Sequence, residues 1–122
     1  MELPRDAVLL RIFVGEGDEQ EGEPVFRQIV LKAREMHMAG ATVLRGPLGF
    51  GRSTRLHASA TFHTSIDLPI VVEIVDTEEN IASFLGAVEA VLGDRLITLE
   101  KVQAIFYKAK SPATRFRKQE SP

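Results

Sequence analysis

"LPIVVEIVD", residues Leu68–Asp76, is the stretch on which the fold turns. Five of its nine residues are Val or Ile, with a polar run before it and Asp76-Thr77 after it. So short a segment, so rich in β-branched residues, reads as a strand, because a buried helix needs about ten residues or more. Downstream, Asp76 or Thr77 can cap a helix over Glu78–Leu92, where Ile81, Phe84, Leu85, Val88 and Val91 recur on one face. Gly93-Asp94 stops that helix, and Leu96–Tyr107 supplies a last strand. Upstream the same plan is repeated. Ala7–Val14 is a branched strand, GEGDEQEGE a solvated acidic loop, and Pro24 suits the first turn of a helix. That helix runs over Val25–Met38 with Phe26, Ile29, Val30, Ala33 and Met36 or His37 at helical spacing. Gly40 is expected to end it as a left-handed cap, His37 to be structural, and Thr42–Leu44 to begin a second strand.

The order β-α-β-β-α-β predicts an α+β, ferredoxin-like sandwich, with two helices on one face of an antiparallel sheet and a long loop between the second and third strands. One domain is expected over residues 1–107, followed by a basic, loosely ordered tail over 108–122. The composition fits a globular protein: 122 residues, 44% hydrophobic and 26% charged. A net charge of −2 argues against a nucleic-acid binder. The chain has no cysteine, which excludes disulfide and thiolate chemistry. With no signal-peptide pattern at MELPRD and no apolar run of about 20 residues, the expected location is the cytoplasm.

Both faces of the sheet want burial. Val8, Leu10, Ile12 and Val14 share one face of the first strand, yet Ala7, Leu9 and Phe13 make the other face apolar too, with Arg11 among them. The third strand repeats this, with Val71, Glu73 and Val75 opposite Ile70, Val72 and Ile74. Two helices cover one face, so the other is expected to self-associate, the alternative being a loop or tail folded over it. Arg11 and Glu73 lie on neighbouring strands and either pair at such an interface or leave Glu73 for a ligand.

Between the second and third strands runs GATVLRGPLGFGRST, Gly40–Thr54, with four glycines flanked by Arg45 and Arg52. Successive N–H groups in such a turn can form an anion-binding nest, and the two arginines would add forked donors suited to phosphate. The segment is neither a Walker A loop nor a dinucleotide fingerprint, and a plain hairpin connection is the alternative. The connection from Gly46 to Asp67 is far longer than a usual hairpin loop of 2–5 residues, which favours a ligand-responsive arm.

"LRGPLGFGRS" followed by "LPIVVEIVD" resembles the PII signalling superfamily. "LRIFVGE", "GATVLRGPLGFG", "LPIVVEIVD" and "ITLEKV", in that order, resemble more closely its family called domain of unknown function number 190. The resemblance spans Val8–Tyr107 and implies a homotrimer that binds an adenine nucleotide (AMP, ADP or ATP) in clefts between subunits. It further implies a non-enzymatic regulator that signals through its long loop to a membrane transporter or metabolic enzyme. On that basis the candidate nucleotide-binding residues are Arg45, Gly46, Gly49, Phe50, Gly51, Arg52 and Ser53 at the loop base. Glu73 and Val75 match the strand beside the adenine, and Arg95 and Lys101 are candidate phosphate partners. Ser53 stands where classical PII proteins carry a Gln used in sensing 2-oxoglutarate, which argues against that metabolite.

The competing readings are a small metal-binding or enzymatic trimer using His57 and His63, or a purely structural interaction module. The spacing His-x5-His matches no common zinc pattern, and no nucleophile-elbow motif surrounds Ser53. The tail residues Lys108, Lys110, Arg115, Arg117 and Lys118 have no amphipathic period and read as solvated.

Overall fold

The computed structural model describes residues 5–50 and 68–105. Its elements run β1 (Arg5–Gly15), β2 (Glu19–Gln20), β3 (Glu23–Pro24), α1 (Val25–Glu35), β4 (Thr42–Arg45), β5 (Pro69–Asp76), α2 (Glu78–Ala87), α3 (Glu89–Leu92) and β6 (Ile97–Ala104). The main sheet has the order β4-β5-β1-β6 with every neighbouring pair antiparallel. This is the ferredoxin-like α+β arrangement that the sequence predicts.

The alternation in the strands sets the layers. Leu10, Ile12 and Val72 are fully buried on the helix side, with Val8, Val14, Ile70 and Ile74 beside them. Val25, Ile29 and Ala33 of α1, then Ile81 and Phe84 of α2, come down on them at spacings of three and four residues, which keeps each set on one helical face. Thr77 caps α2, its hydroxyl accepting the Asn80 N–H at 3.1 Å.

Three local expectations need correction. The acidic loop after β1 contains a two-stranded ribbon, β2–β3, closed by Glu21 (φ 55°) and Gly22 (φ 80°). Two consecutive positive φ values make the tight turn whose twist suits a hairpin, and Gln28 holds the ribbon by donating to the carbonyls of Gln20 and Glu23. Helix α1 ends earlier than expected, and Gly40 is not its cap. His37 takes the left-handed conformation (φ 58°), with its N–H donating to the Arg34 carbonyl and that of Met38 to the Ala33 carbonyl. This bond pair is a Schellman closure, and it turns Met38 back onto the core three residues before Ala41. The second helix is interrupted at Val88 (φ −106°, ψ 12°), where α-helical bonding gives way to a tighter Val91 N–H to Val88 carbonyl bond.

Among the described residues no helix lies over the opposite sheet face. Register places Leu9 beside Val75, Arg11 beside Glu73, and Phe13 beside Val71, with Leu44 flanking Val71. Leu44 and Val75 are 48% and 39% exposed.

Candidate functional site

The site is built where the long connection leaves and rejoins the sheet. Arg45 closes β4, and the chain returns through Leu68 into Pro69, the first residue of β5. The Gly46 N–H donates to the Pro69 carbonyl at 2.8 Å, and the Glu16 N–H donates to the Leu68 carbonyl at 2.7 Å. These two bonds tie both ends of the connection to the sheet. Gly46 and Gly49 both lie against the Pro69 ring: a Cβ on either would come within 3.0 and 3.1 Å of its Cγ. The glycines are therefore needed for close packing, since neither requires a positive φ. Leu48 and Phe50 project outward, 64% and 74% exposed.

Two arginines stand at this end of the sheet, each with a carboxylate. Arg45 Nη2 pairs with Glu16 Oε2. Arg95 Nε lies 3.1 Å from Asp18 Oδ2, and its Nη1 donates to the carbonyls of Val91 and Leu92. Asp18 Oδ2 also accepts the Gly15 N–H at 3.0 Å. Arg95 is thus largely consumed in fastening the end of α3 to the turn after β1, whereas the Arg45 head remains more than half exposed.

The remaining candidates lie elsewhere. Glu73 sits mid-sheet on the open face, its Oε2 2.9 Å from Arg11 Nε, while Arg11 Nη1 reaches Glu100 Oε1 at 3.3 Å. Hydrogen bonding to Glu73 is the largest influence on the Arg11 guanidinium and holds its pKa above the ordinary value. Val75 and Lys101 stand toward the far end, where Val75 is opposite Leu9 and Lys101 opposite Val8. Lys101 lies between two surface hollows of about 340 and 400 Å³, one floored by Val8, Ile81 and Leu85, the other rimmed by Asp6, Glu78 and Glu79. Register puts Arg45 level with Val14 and Lys101 level with Val8, six residues apart along β1. At about 3.4 Å per residue that is roughly 20 Å. One chain brings Arg45, Gly46, Gly49, Phe50 and Arg95 to one sheet end and does not bring Glu73, Val75 and Lys101 there. Gly51, Arg52 and Ser53, with His57 and His63, lie outside the described residues.

Glu16, Asp18 and Pro69 are site residues that the sequence reading missed. The available signal was topological: in a βαββαβ chain the end of the first strand, the end of the second and the start of the third share one sheet end. The other sheet end has its own anchor in Asp76. Its Oδ2 accepts the Ala39 N–H at 2.8 Å, and its Oδ1 accepts from Thr77 N and Asn80 Nδ2 at 2.7 and 2.8 Å. Partial burial pushes this carboxyl up, but the bonds from Ala39, Asn80 and Thr77 together outweigh it and lower its pKa. Among the described residues no group of three or more His, Cys, Asp or Glu is placed to hold a metal, and no helix is long and apolar enough to cross a membrane.

A family model described as DUF190, uncharacterized ACR, matches residues 7–104. A UPF0166 protein of Aquifex aeolicus is 39% identical over 98 residues, covering 80% of this chain and 92% of the relative. The chain belongs to the DUF190 family. Its fold is PII-like: the structure of CPII, a nitrogen regulatory PII-like protein from Thiomonas intermedia K12, bound to ADP, AMP and bicarbonate, superposes with a TM-score of 0.62 at 12% identity. That match covers 84% of this chain and 91% of the other. CPII bound to ADP and bicarbonate gives a TM-score of 0.60 at 15% identity, over 84% and 91% of the two chains. At these identities the likeness is one of fold. The DUF190 match omits only the first six residues and those after Ala104, so it takes in both sheet ends described above.

Proposed function

We propose that this DUF190 protein is a non-enzymatic PII-like regulator, a homotrimer that binds an adenine nucleotide between subunits and signals to a partner protein through the 46–67 arm. The observation that carries the reading is the arm base. Gly46 and Gly49 pack their backbone against Pro69, and beside them Arg45 presents an exposed guanidinium whose forked donors suit phosphate oxygens. The likeness in fold to CPII, whose structures carry ADP and AMP, supports an adenine nucleotide as the ligand.

The offset of roughly 20 Å along the strands between Arg45 and Lys101, which also lie on opposite edge strands, favours a shared site. A nucleotide that meets both must take Arg45 from one chain and Lys101 from another, with Glu73 and Val75 on the open face between copies. Arg52 and Ser53 are further proposed phosphate contacts, and Arg95, fastened to Asp18, stands at the same sheet end as Arg45. Ordering of the arm on binding would then alter which partner it meets, a membrane transporter or metabolic enzyme in the cytoplasm by analogy with the superfamily.

The test is isothermal titration of the purified protein with AMP, ADP, ATP and cyclic nucleotides, with and without Mg²⁺, repeated on Arg52→Ala. Saturation near one nucleotide per chain, weakened by the substitution, supports the reading. Absence of heat and of thermal shift with every nucleotide overturns it.

A further inference from the structure

Glu16 touches both ends of the arm. Its N–H donates to Leu68, the residue through which the arm returns, and its carboxylate holds Arg45, the residue from which the arm departs. The two side chains meet although their strands are not neighbours, since β5 lies between β4 and β1 in the sheet. The pair therefore straddles the start of β5, the strand whose first residue, Pro69, has Gly46 and Gly49 packed against its ring. Glu16 is the less exposed partner, at 27% against 58% for Arg45. A carboxylate thus stands beside the most accessible cation of the arm base among the described residues.

From this we infer that Glu16 is a built-in competitor for Arg45, an internal anion that a ligand phosphate must displace or tolerate. The inference rests on the reading of the arm base as a phosphate site. A guanidinium has five N–H donors, so Arg45 can turn to a second anion, but the phosphate then loses whatever attraction Glu16 retains and meets its negative charge at close range. The consequence is a site that holds phosphate less tightly than its donors allow, and affinity is set in part by a residue that need not touch the ligand. Glu16 is in this sense a specificity-determining residue, acting through Arg45. An exposed ion pair has only a modest strength, so removing the competitor is expected to tighten binding about 2–5-fold.

The experiment is a double-mutant cycle of Glu16→Gln and Arg45→Ala, titrated with inorganic pyrophosphate, ADP and adenosine. Glu16→Gln keeps the shape of the side chain and removes its charge. The expected result is tightening of about 2–5-fold for pyrophosphate and ADP, no change for adenosine, and no tightening in the Arg45→Ala background. Equal tightening in both backgrounds would mean a general charge effect and overturns the inference, as does ADP binding unaltered by Glu16→Gln. If pyrophosphate follows the expected pattern while ADP does not bind, the competitor role stands and the nucleotide reading falls. If neither anion binds any variant, both fall.

Discussion

Arg11 and Glu73 face each other across the central strand pair, Nε 2.9 Å from Oε2, in the middle of the sheet face that no helix among the described residues covers. Around them the face carries Leu9, Phe13, Val71 and Val75, with Glu100 reaching Arg11 at 3.3 Å. In a lone chain, where the two side chains are 37% and 28% exposed, solvent screens such a pair and it contributes little. Enclosed between copies of the chain, as in the proposed homotrimer, the pair becomes more costly to disturb, because loss of Glu73 leaves Arg11, among the described residues, with only its longer contact to Glu100.

The first prediction follows from that contrast. In the homotrimer proposed above, Glu73→Ala is expected to weaken the assembly in sedimentation velocity and to lower thermal stability, whereas Arg11→Met combined with Glu73→Leu is expected to recover most of both. A single variant that sediments and melts like the wild type would mean that this face stays wet.

A second prediction concerns the end of α1. His37 occupies the left-handed position of the Schellman closure, where glycine is the usual residue and a Cβ is penalised. His37→Gly is expected to stabilise the protein by about 0.5–1 kcal/mol, the relief of strain exceeding the extra chain entropy of glycine in the unfolded state. Urea denaturation checks it through an increase in the midpoint with an unchanged slope.

The contrast between the sheet and His37 shows which parts of the structure could be read in advance. Ile70, Val72 and Ile74 announce a strand because their period and branching carry the information locally, and the helix faces of Ile29 and Phe84 do the same. The ribbon turn at Glu21 and the cap at His37 are silent, because glutamate does not favour a positive φ and histidine, though enriched there, marks no cap by itself. The pairs Glu16–Arg45 and Asp18–Arg95 join residues 29 and 77 positions apart. No local pattern encodes them, so the carboxylates after β1 read as solvent-facing. For the candidate site, the glycines of the arm base were visible as a cluster, but their contact with Pro69 was not.

A third prediction is a pH dependence. The Asp76 carboxyl titrates below its ordinary value near 3.8 in the folded protein, since the hydrogen bonds from Ala39, Asn80 and Thr77 outweigh its partial burial. A depressed folded pKa means that the native state binds fewer protons than the unfolded chain, so stability rises with pH across that window. The contribution is present above the unfolded value and is lost as pH falls through the folded one. Chemical denaturation of the wild type and Asp76→Asn should therefore differ most near neutrality and converge below about pH 4. A gap that persists undiminished at pH 3 would assign the effect to packing instead of charge.

The last prediction tests the arm base directly. A Cβ at Gly46 would come 3.0 Å from Pro69 Cγ, and one at Gly49 3.1 Å, distances at which the proline ring or the turn must shift by a few tenths of an ångström. Pro69 cannot move freely, because its carbonyl is held by the Gly46 N–H at 2.8 Å and its backbone pairs with Gly15 in the sheet. Gly46→Ala is therefore expected to cost about 1–2 kcal/mol, in the range of overpacking a well-filled contact. Pro69→Ala removes the Cγ that the new methyl would strike, so the double variant should lose less than the sum of the singles, with a coupling of at least about 0.5 kcal/mol. Strict additivity in urea denaturation would show that Gly46 is required for its backbone freedom and not for its approach to Pro69. Coupling in stability together with weakened nucleotide binding in Gly46→Ala, restored in the double variant, would tie the packing of the arm base to the ligand.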